Sequence, residues 1–251
     1  MIYSLVNQKG GVSKTTTAAA LWTGLNSRGK KTLAVDLDPQ GNLTYYAGAS
    51  SEGKTVLGLL TKEADAIEAI QHTDKGDFIA SNSVLSGADT FIIETGKEYR
   101  LKEALAPIVQ NYDYIIIDTP PELGILTVNA LTACDRVIIP AQADVFSLQG
   151  IERLSHTIRM VKTYCNHDLT ISGLLLTRYN SRTLLAQSIA SDMSAISEKL
   201  GAKLFNATIR EGVAVRESQL KQKCLFEYAP TAKVTADYED FLDELLLTEK
   251  A

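Results

Sequence analysis

The first residues able to do chemistry form one short run, Lys9-Gly10-Gly11-Val12-Ser13-Lys14-Thr15-Thr16. Adjacent glycines let backbone N–H groups converge on phosphate oxygens, and a helix opening at that point adds partial positive charge. In such a loop Lys14 is placed to reach the β- and γ-phosphates of a nucleotide, and the Thr15 hydroxyl to ligate Mg²⁺. The pattern G-x-x-x-x-G-K-[ST] is not met, because its two glycine positions fall on Gln8 and Ser13. The competing reading is a Gly-Gly turn that only caps a helix. Two acids follow at the ends of apolar runs, Asp38 in Val35-Asp36-Leu37-Asp38-Pro39-Gln40-Gly41-Asn42 and Asp118 in Ile115-Ile116-Ile117-Asp118-Thr119-Pro120-Pro121. Either acid alone could cap the next helix; two of them beside a phosphate loop are better explained by Mg²⁺ and water.

These residues need a frame that brings them together. Short apolar runs alternate with longer amphipathic stretches: Ile2–Val6, a helix over 14–27, Thr32–Asp36, a weaker run Phe78–Ala80, and a helix over 98–109. Tyr114–Asp118, Val137–Pro140, a helix over 148–164 and Ile171–Thr177 continue the alternation. Strands alternating with helices predict a parallel sheet with helices on both faces, and in such sheets ligands bind at the carboxyl ends of the strands. The loop and both acids fall at three such ends. No repeat, low-complexity tract or Pro/Gly-rich linker interrupts the chain, so the expectation is a single domain over 1–251.

Bulk properties narrow the class. The 251 residues are 45% hydrophobic and 22% charged, which excludes disordered and fibrous classes. No apolar run reaches the ~18 residues of a membrane span, and the first residues do not read as a signal peptide. Cys134, Cys165 and Cys224 are odd in number and far apart, a pattern for a reducing cytosol and against a disulfide framework or zinc site. His72, His156 and His167 lack metal-ligand spacing. The net charge is −5, yet residues 178–223 hold eight Lys/Arg (178, 182, 199, 203, 210, 216, 221, 223) against four Asp/Glu (192, 198, 211, 217). That is +4 locally and −9 elsewhere.

The run K-G-G-x-x-K-[ST] at residues 9–15 resembles the deviant phosphate loop of the ParA/MinD superfamily of ATPases. Residues 35–42 resemble the D-x-D-P-Q-G-N segment of ParA-type proteins, and residues 115–121 their Walker B strand with its D-x-P-P end. The likeness continues through Leu126–Leu131, Val137–Pro140, Leu174–Thr177 and Asn180–Thr183, and is looser after residue 200. It implies a doubly wound, mostly parallel α/β sheet of the P-loop NTPase type that binds ATP and Mg²⁺. Lys9 is then the signature lysine that reaches a partner's nucleotide across a dimer interface. Residues Gly10 through Thr16 form the phosphate loop, Asp118 holds the Mg²⁺ shell through water, and Asp38 positions or activates the attacking water. Ile209-Arg210-Glu211-Gly212-Val213 lies where the family has its base-binding turn, which makes Arg210 the expected adenine-side residue.

The same fold serves DNA partition, division-site placement on membranes, electron transfer and small-molecule synthesis, so fold alone does not choose. A MinD-like membrane-associated positioning ATPase is the main alternative. The C-terminal stripe Tyr238, Phe241, Leu242, Leu245, Leu246 is backed by Glu239, Asp240, Asp243 and Glu244, which anionic lipid repels; this predicts a helix packed on the core and no membrane contact. An iron–sulfur role lacks a second, suitably placed cysteine after Cys134. For partition, Arg182 resembles a DNA-contacting position of the family. Arg178, Arg210, Arg216, Lys221 and Lys223 extend a phosphate-binding stripe when two subunits pair, unless they are an ordinary solvated surface. The expected partners are a second copy when ATP is bound, non-specific double-stranded DNA, and a ParB-type protein that stimulates hydrolysis; the expected location is the nucleoid in the cytoplasm. Operator-specific binding is not expected, because the first strand begins at Ile2. A slow ATP switch acting through protein contacts is a further rival.

Overall fold

The computed structural model describes residues 1–248. The chain begins with β1 (Ile2–Leu5), α1 (Lys14–Ser27), β2 (Thr32–Asp36) and α2 (Asn42–Ala47). Two short helices, α3 (Val56–Thr61) and α4 (Ala66–Ala69), precede the hairpin β3 (Ile70–Thr73) and β4 (Gly76–Ile79). Helices α5 (Ala88–Phe91) and α6 (Arg100–Leu105) lead to β5 (Tyr114–Asp118), α7 (Ile125–Ala133) and β6 (Arg136–Ala141). The rest is α8 (Val145–Tyr164), β7 (Thr170–Thr177), α9 (Leu184–Lys199), β8 (Lys203–Ile209), α10 (Val213–Leu220), α11 (Leu225–Tyr228) and α12 (Lys233–Thr248).

The eight strands form one sheet in the order β3-β4-β2-β5-β1-β6-β7-β8, parallel throughout except for the β3–β4 hairpin. Every residue of β1, β2 and β5 is buried, so these strands read as continuous apolar runs, as strands covered on both faces do. Side chains alternate between two cores. Ile115 and Ile117 join Leu33, Val35, Val137 and Ile139 on one face, under α3 and α6–α9. Tyr114 and Ile116 join Tyr3, Leu5, Ala34 and Ile138 on the other, under α1 and α12.

In α12, Tyr238, Phe241, Leu242 and Leu245 are buried against the core, and Phe241 meets Phe205 edge-to-face at 5.0 Å. The apolar stripe is spent inside the protein, and among the described residues no helix is long and apolar enough to cross a membrane. One acid departs from the expected solvent face: Glu244 accepts N–H groups from Asn206 and Ala207 of β8 at 3.1 and 2.9 Å and pairs with Lys203 at 3.0 Å.

Some elements differ from expectation. The helix expected over 98–109 shortens to α6, with 3-10 turns at Lys97–Tyr99 and Val109–Asn111. Pro107 has no N–H to continue the helical ladder, so regular α-helix ends there although Ala106 keeps helical φ and ψ of −52° and −41°. The weak run Phe78–Ala80 is the end of β4, and β3 and β8 were not anticipated. Both are half-buried edge strands of mixed polarity, IQHT and KLFNATI, without the apolar run that marks a central strand.

Candidate functional site

Strands β2, β5 and β1 are adjacent, and their carboxyl ends face one opening. Register pairs Asp118 with both Asp36 and Leu5, which sets the phosphate loop after β1 beside the acids after β2 and β5. A cleft of about 540 Å³ opens there, in the size range of small-molecule sites. Gly10, Gly11, Ser13, Lys14, Thr15, Thr16 and Asp38 line one side; Arg178, Arg210, Glu211, Gly212 and Arg216 line the other. Val12 is fully buried and anchors the loop from behind, its carbonyl accepting the Thr177 hydroxyl at 3.0 Å.

The loop turns through two residues with positive φ, Gly11 at 76° and Ser13 at 64°. Ser13 occupies the left-handed region that glycine enters freely, at a cost of about 1–2 kcal/mol for a residue with a Cβ. The missing glycine of the usual pattern therefore leaves the turn in place. Ser13 precedes α1, which opens without a side-chain cap, and Ser13 to Thr16 line the cleft.

Burial dominates the electrostatics. Lys14 is 7% exposed, and desolvation lowers its pKa against the pull of Asp118, Asp38 and Glu122. Burial likewise raises Asp38, with a backbone N–H from Gln40 and the charge of Lys14 opposing it. Asp36 is pushed up to about 7 by burial, and Asp118 is raised well above the carboxylate range by burial and by Asp36 beside it. Both Asp118 carboxylate oxygens are buried without a well-formed hydrogen bond, although the Thr15 hydroxyl is near enough to favour the charged form. A buried carboxylate with orphaned oxygens next to a hydroxyl is a hard-oxygen donor set, and it suits a Mg²⁺ that keeps waters and completes its shell with phosphate oxygens.

Lys9 is held within its own chain. Its ammonium pairs with Asp144 and lies 3.4 Å from the Gln142 side-chain oxygen, while its N–H donates to Asn7 Oδ1 at 2.9 Å. The Gln142 amide donates back to the Gly11 carbonyl at 2.9 Å, so the β6–α8 connection grips the loop from the side. Burial pushes the Asp144 carboxyl up, but hydrogen bonds from Lys9 and the Ser147 N–H hold it below the ordinary carboxylate value. Both partners are about 30% exposed, and such pairs contribute at most about 1 kcal/mol. If Lys9 bridges two copies, Asp144→Asn is expected to free it in both and tighten ATP-dependent self-association by up to about 25-fold; sedimentation velocity with ATP checks this, and weaker association would contradict it.

The predicted basic stripe divides. Arg178, Arg210 and Arg216 stand on the cleft wall. Arg210 is committed to Asp237 through a two-pronged contact at 2.7 Å and a backbone N–H at 2.9 Å, and Arg178 pairs with Glu211 at 2.9 Å. Lys221 and Lys223 border a separate depression with His72 and Lys75. Arg182 is exposed in the turn before α9. Sequence reasoning passed over Asp144, Gln142, Asn7 and Gln219, whose amide donates to the Thr16 hydroxyl at 3.0 Å. Only Asp144 carried a local signal, as the N-cap of α8 accepting Ser147 N–H at 2.9 Å.

A phosphate loop after the first strand of a mostly parallel sheet, with acids at the ends of the next two strands on one side, β5 and β2, defines a P-loop nucleotide-binding fold. A family model described as an AAA domain matches residues 1–171. The sporulation initiation inhibitor protein Soj of Bacillus subtilis is 39% identical over 249 residues, 97% of this chain and 97% of Soj. Among solved structures, cobyrinic acid a,c-diamide synthase of Mycobacterium smegmatis with bound ADP and magnesium aligns with a TM-score of 0.85 at 33% identity, over 100% of this chain and 95% of that one. A plasmid partition protein of Borrelia burgdorferi B31 bound to AMPPNP gives 0.82 at 26% identity, over 99% and 98%. The chain belongs to the Soj/ParA family of partition proteins, P-loop ATPases of the ParA/MinD type.

Proposed function

We propose that this chain is a single-domain, ATP-hydrolysing DNA-partition protein that acts as a nucleotide-gated homodimer on non-specific double-stranded DNA in the cytoplasm. The observation that carries the reading is the meeting of Lys14, Thr15, Asp38 and Asp118 at one cleft, from the ends of three neighbouring strands. The nucleotides held by the Mycobacterium and Borrelia proteins support it. Identity with Soj over nearly the whole chain supports partition over amide synthesis, as does the basic excess of residues 178–223.

In this reading the loop N–H groups and Lys14 hold the β- and γ-phosphates, and Arg210 borders the base. When bound with ATP, Mg²⁺ supplies charge neutralisation at the phosphate oxygens, with Thr15 as its protein ligand and Asp118 and Asp38 reaching its water shell. Asp38 orients the attacking water; phosphoryl transfer asks little more of a protein than alignment and charge. Lys9 exchanges Asp144 for the nucleotide of a second copy. Pairing doubles the basic surface offered by exposed Arg182, Arg216, Lys221 and Lys223, with Arg178 and Arg210 tied to Glu211 and Asp237, which raises DNA affinity as linked sites do. Hydrolysis removes the bridging phosphate and frees both contacts, and a ParB-type protein accelerates that step.

The test is DNA retention with ATP, ADP and no nucleotide at two salt concentrations. Retention is expected with ATP alone and to fall steeply with salt, since phosphate contacts release counterions. Arg182→Glu is expected to weaken retention about 10-fold or more at low salt while the dimer persists. Retention indifferent to nucleotide, or intact in Arg182→Glu, contradicts the reading.

A further inference from the structure

The segment carrying Asp38 is gripped at both ends of its peptide by a closed ring of buried hydrogen bonds. Asp36 Oδ1 accepts the Asp38 N–H at 3.0 Å. Asp36 Oδ2 accepts both the Thr44 N–H and the Thr44 hydroxyl at 2.8 Å. Thr44 Oγ1 in turn accepts the Ser81 N–H at 2.9 Å, and the Ser81 hydroxyl donates to the Asp38 carbonyl at 2.6 Å. The ring joins the end of β2, the helix α2 and the chain leaving β4, with Thr44 4% and Ser81 1% exposed.

Backbone satisfaction does not require the last of these bonds. The Asp38 carbonyl already accepts the Gly41 N–H at 2.9 Å within its own turn, so the Ser81 hydroxyl supplies a second bond to an acceptor that is already paired. What that second bond adds is direction: it ties the peptide after Asp38 to a segment 43 residues away. The Asp38 side chain meanwhile takes Gln40 N–H on Oδ1 at 3.0 Å and lines the cleft. A group that aligns a nucleophile loses rate steeply when its anchor slackens, since a displacement of about 1 Å can cost about 100-fold.

We infer that Ser81 and Thr44 are positioning residues for ATP hydrolysis: the Ser81 hydroxyl clamps the Asp38 carbonyl, and the Thr44 hydroxyl holds Ser81 and Asp36 in place behind it, so that the Asp38 carboxylate meets the attacking water in one orientation. The inference rests on the reading of Asp38 as the water-orienting acid. Neither Thr44 nor Ser81 lines the cleft, so their removal is expected to slow the chemical step and leave binding intact. Thr44→Ser keeps the clamp; Thr44→Val removes its hydroxyl at nearly constant volume.

Single-turnover hydrolysis and equilibrium binding of a fluorescent ATP analogue, measured on the full chain with Mg²⁺, test this. Ser81→Ala and Thr44→Val are each expected to slow hydrolysis about 10-fold or more, with the dissociation constant within about 2-fold of wild type. Thr44→Ser is expected to stay within about 3-fold on both. In an Asp38→Ala background the Ser81→Ala change is expected to have no further effect, because the clamp then has no carboxylate to aim. Normal hydrolysis in Ser81→Ala and Thr44→Val, a loss that tracks binding, or an undiminished loss in the Asp38→Ala background each overturns the inference. If Ser81→Ala fails to fold, the Thr44→Val and Thr44→Ser pair decides alone. Normal turnover in Asp38→Ala itself refutes the prior reading, a result separable from all of these.

Discussion

Lys9→Ala is expected to abolish ATP-dependent dimerisation while leaving nucleotide binding by the monomer within a few-fold of wild type. Lys9 lies at the outer edge of the loop, beside the β6–α8 connection, whereas Lys14 is 7% exposed within the cleft. In the proposed cycle the two lysines serve different bodies: Lys14 its own nucleotide, Lys9 that of the partner. Opposite charges ~4 Å apart attract by about 4 kcal/mol at an effective dielectric of 20, and a two-fold dimer contains the contact twice. Against this, the cis pair with Asp144 holds back no more than about 1 kcal/mol. The net loss is about 3 kcal/mol per contact and about 6 kcal/mol for the pair, which weakens association on the order of 10,000-fold. Sedimentation velocity with a non-hydrolysable analogue checks the mass, and titration of a fluorescent nucleotide checks binding. A dimer unchanged in Lys9→Ala removes the trans-lysine from the account.

Asp38→Ala is expected to lower turnover by about 100- to 1,000-fold, the range for loss of a positioned acid–base group, and to accumulate an ATP-bound dimer on DNA. The contacts that hold this segment in place run through the Asp38 backbone, its N–H to Asp36 and its carbonyl to Gly41 and Ser81. Deleting the carboxylate therefore leaves the turn where it is; only the Gln40 N–H, at the cleft edge, loses its acceptor. The variant separates binding from chemistry: association and DNA retention persist, and release fails. Phosphate release in single turnover measures the first effect, and DNA dissociation after ATP is diluted out measures the second. Wild-type turnover in this variant would assign the water to another group.

The central sheet was readable because its strands are buried on both faces. YIIID in β5 and TLAVD in β2 carry only apolar residues between their ends, and each ends in the acid the site uses or builds upon. The phosphate loop was readable because close backbone approach demands glycine, and Gly10-Gly11 is a local signal. What escaped is held by contacts distant in sequence. Asp144 meets Lys9 across 135 residues, and Ser81 meets Asp38 across 43; no local pattern marks a serine or an aspartate for such a partner. The edge strands β3 and β8 escaped for a related reason, since half-solvated edges need no apolar run. The basic residues were correctly seen as an excess, but one-dimensional spacing could not separate Arg178, Arg210 and Arg216, on the cleft wall, from Lys221 and Lys223 beside the β3–β4 hairpin.

A crystal structure grown with Mg²⁺ and a non-hydrolysable ATP analogue tests the central claim most directly. The expected structure is a two-fold pair of chains, each loop closed around a triphosphate, with the Lys9 ammonium withdrawn from Asp144 and bonded to the γ-phosphate held by the other copy. A nucleotide-filled loop with Lys9 still on Asp144 and no second chain facing it would contradict the account.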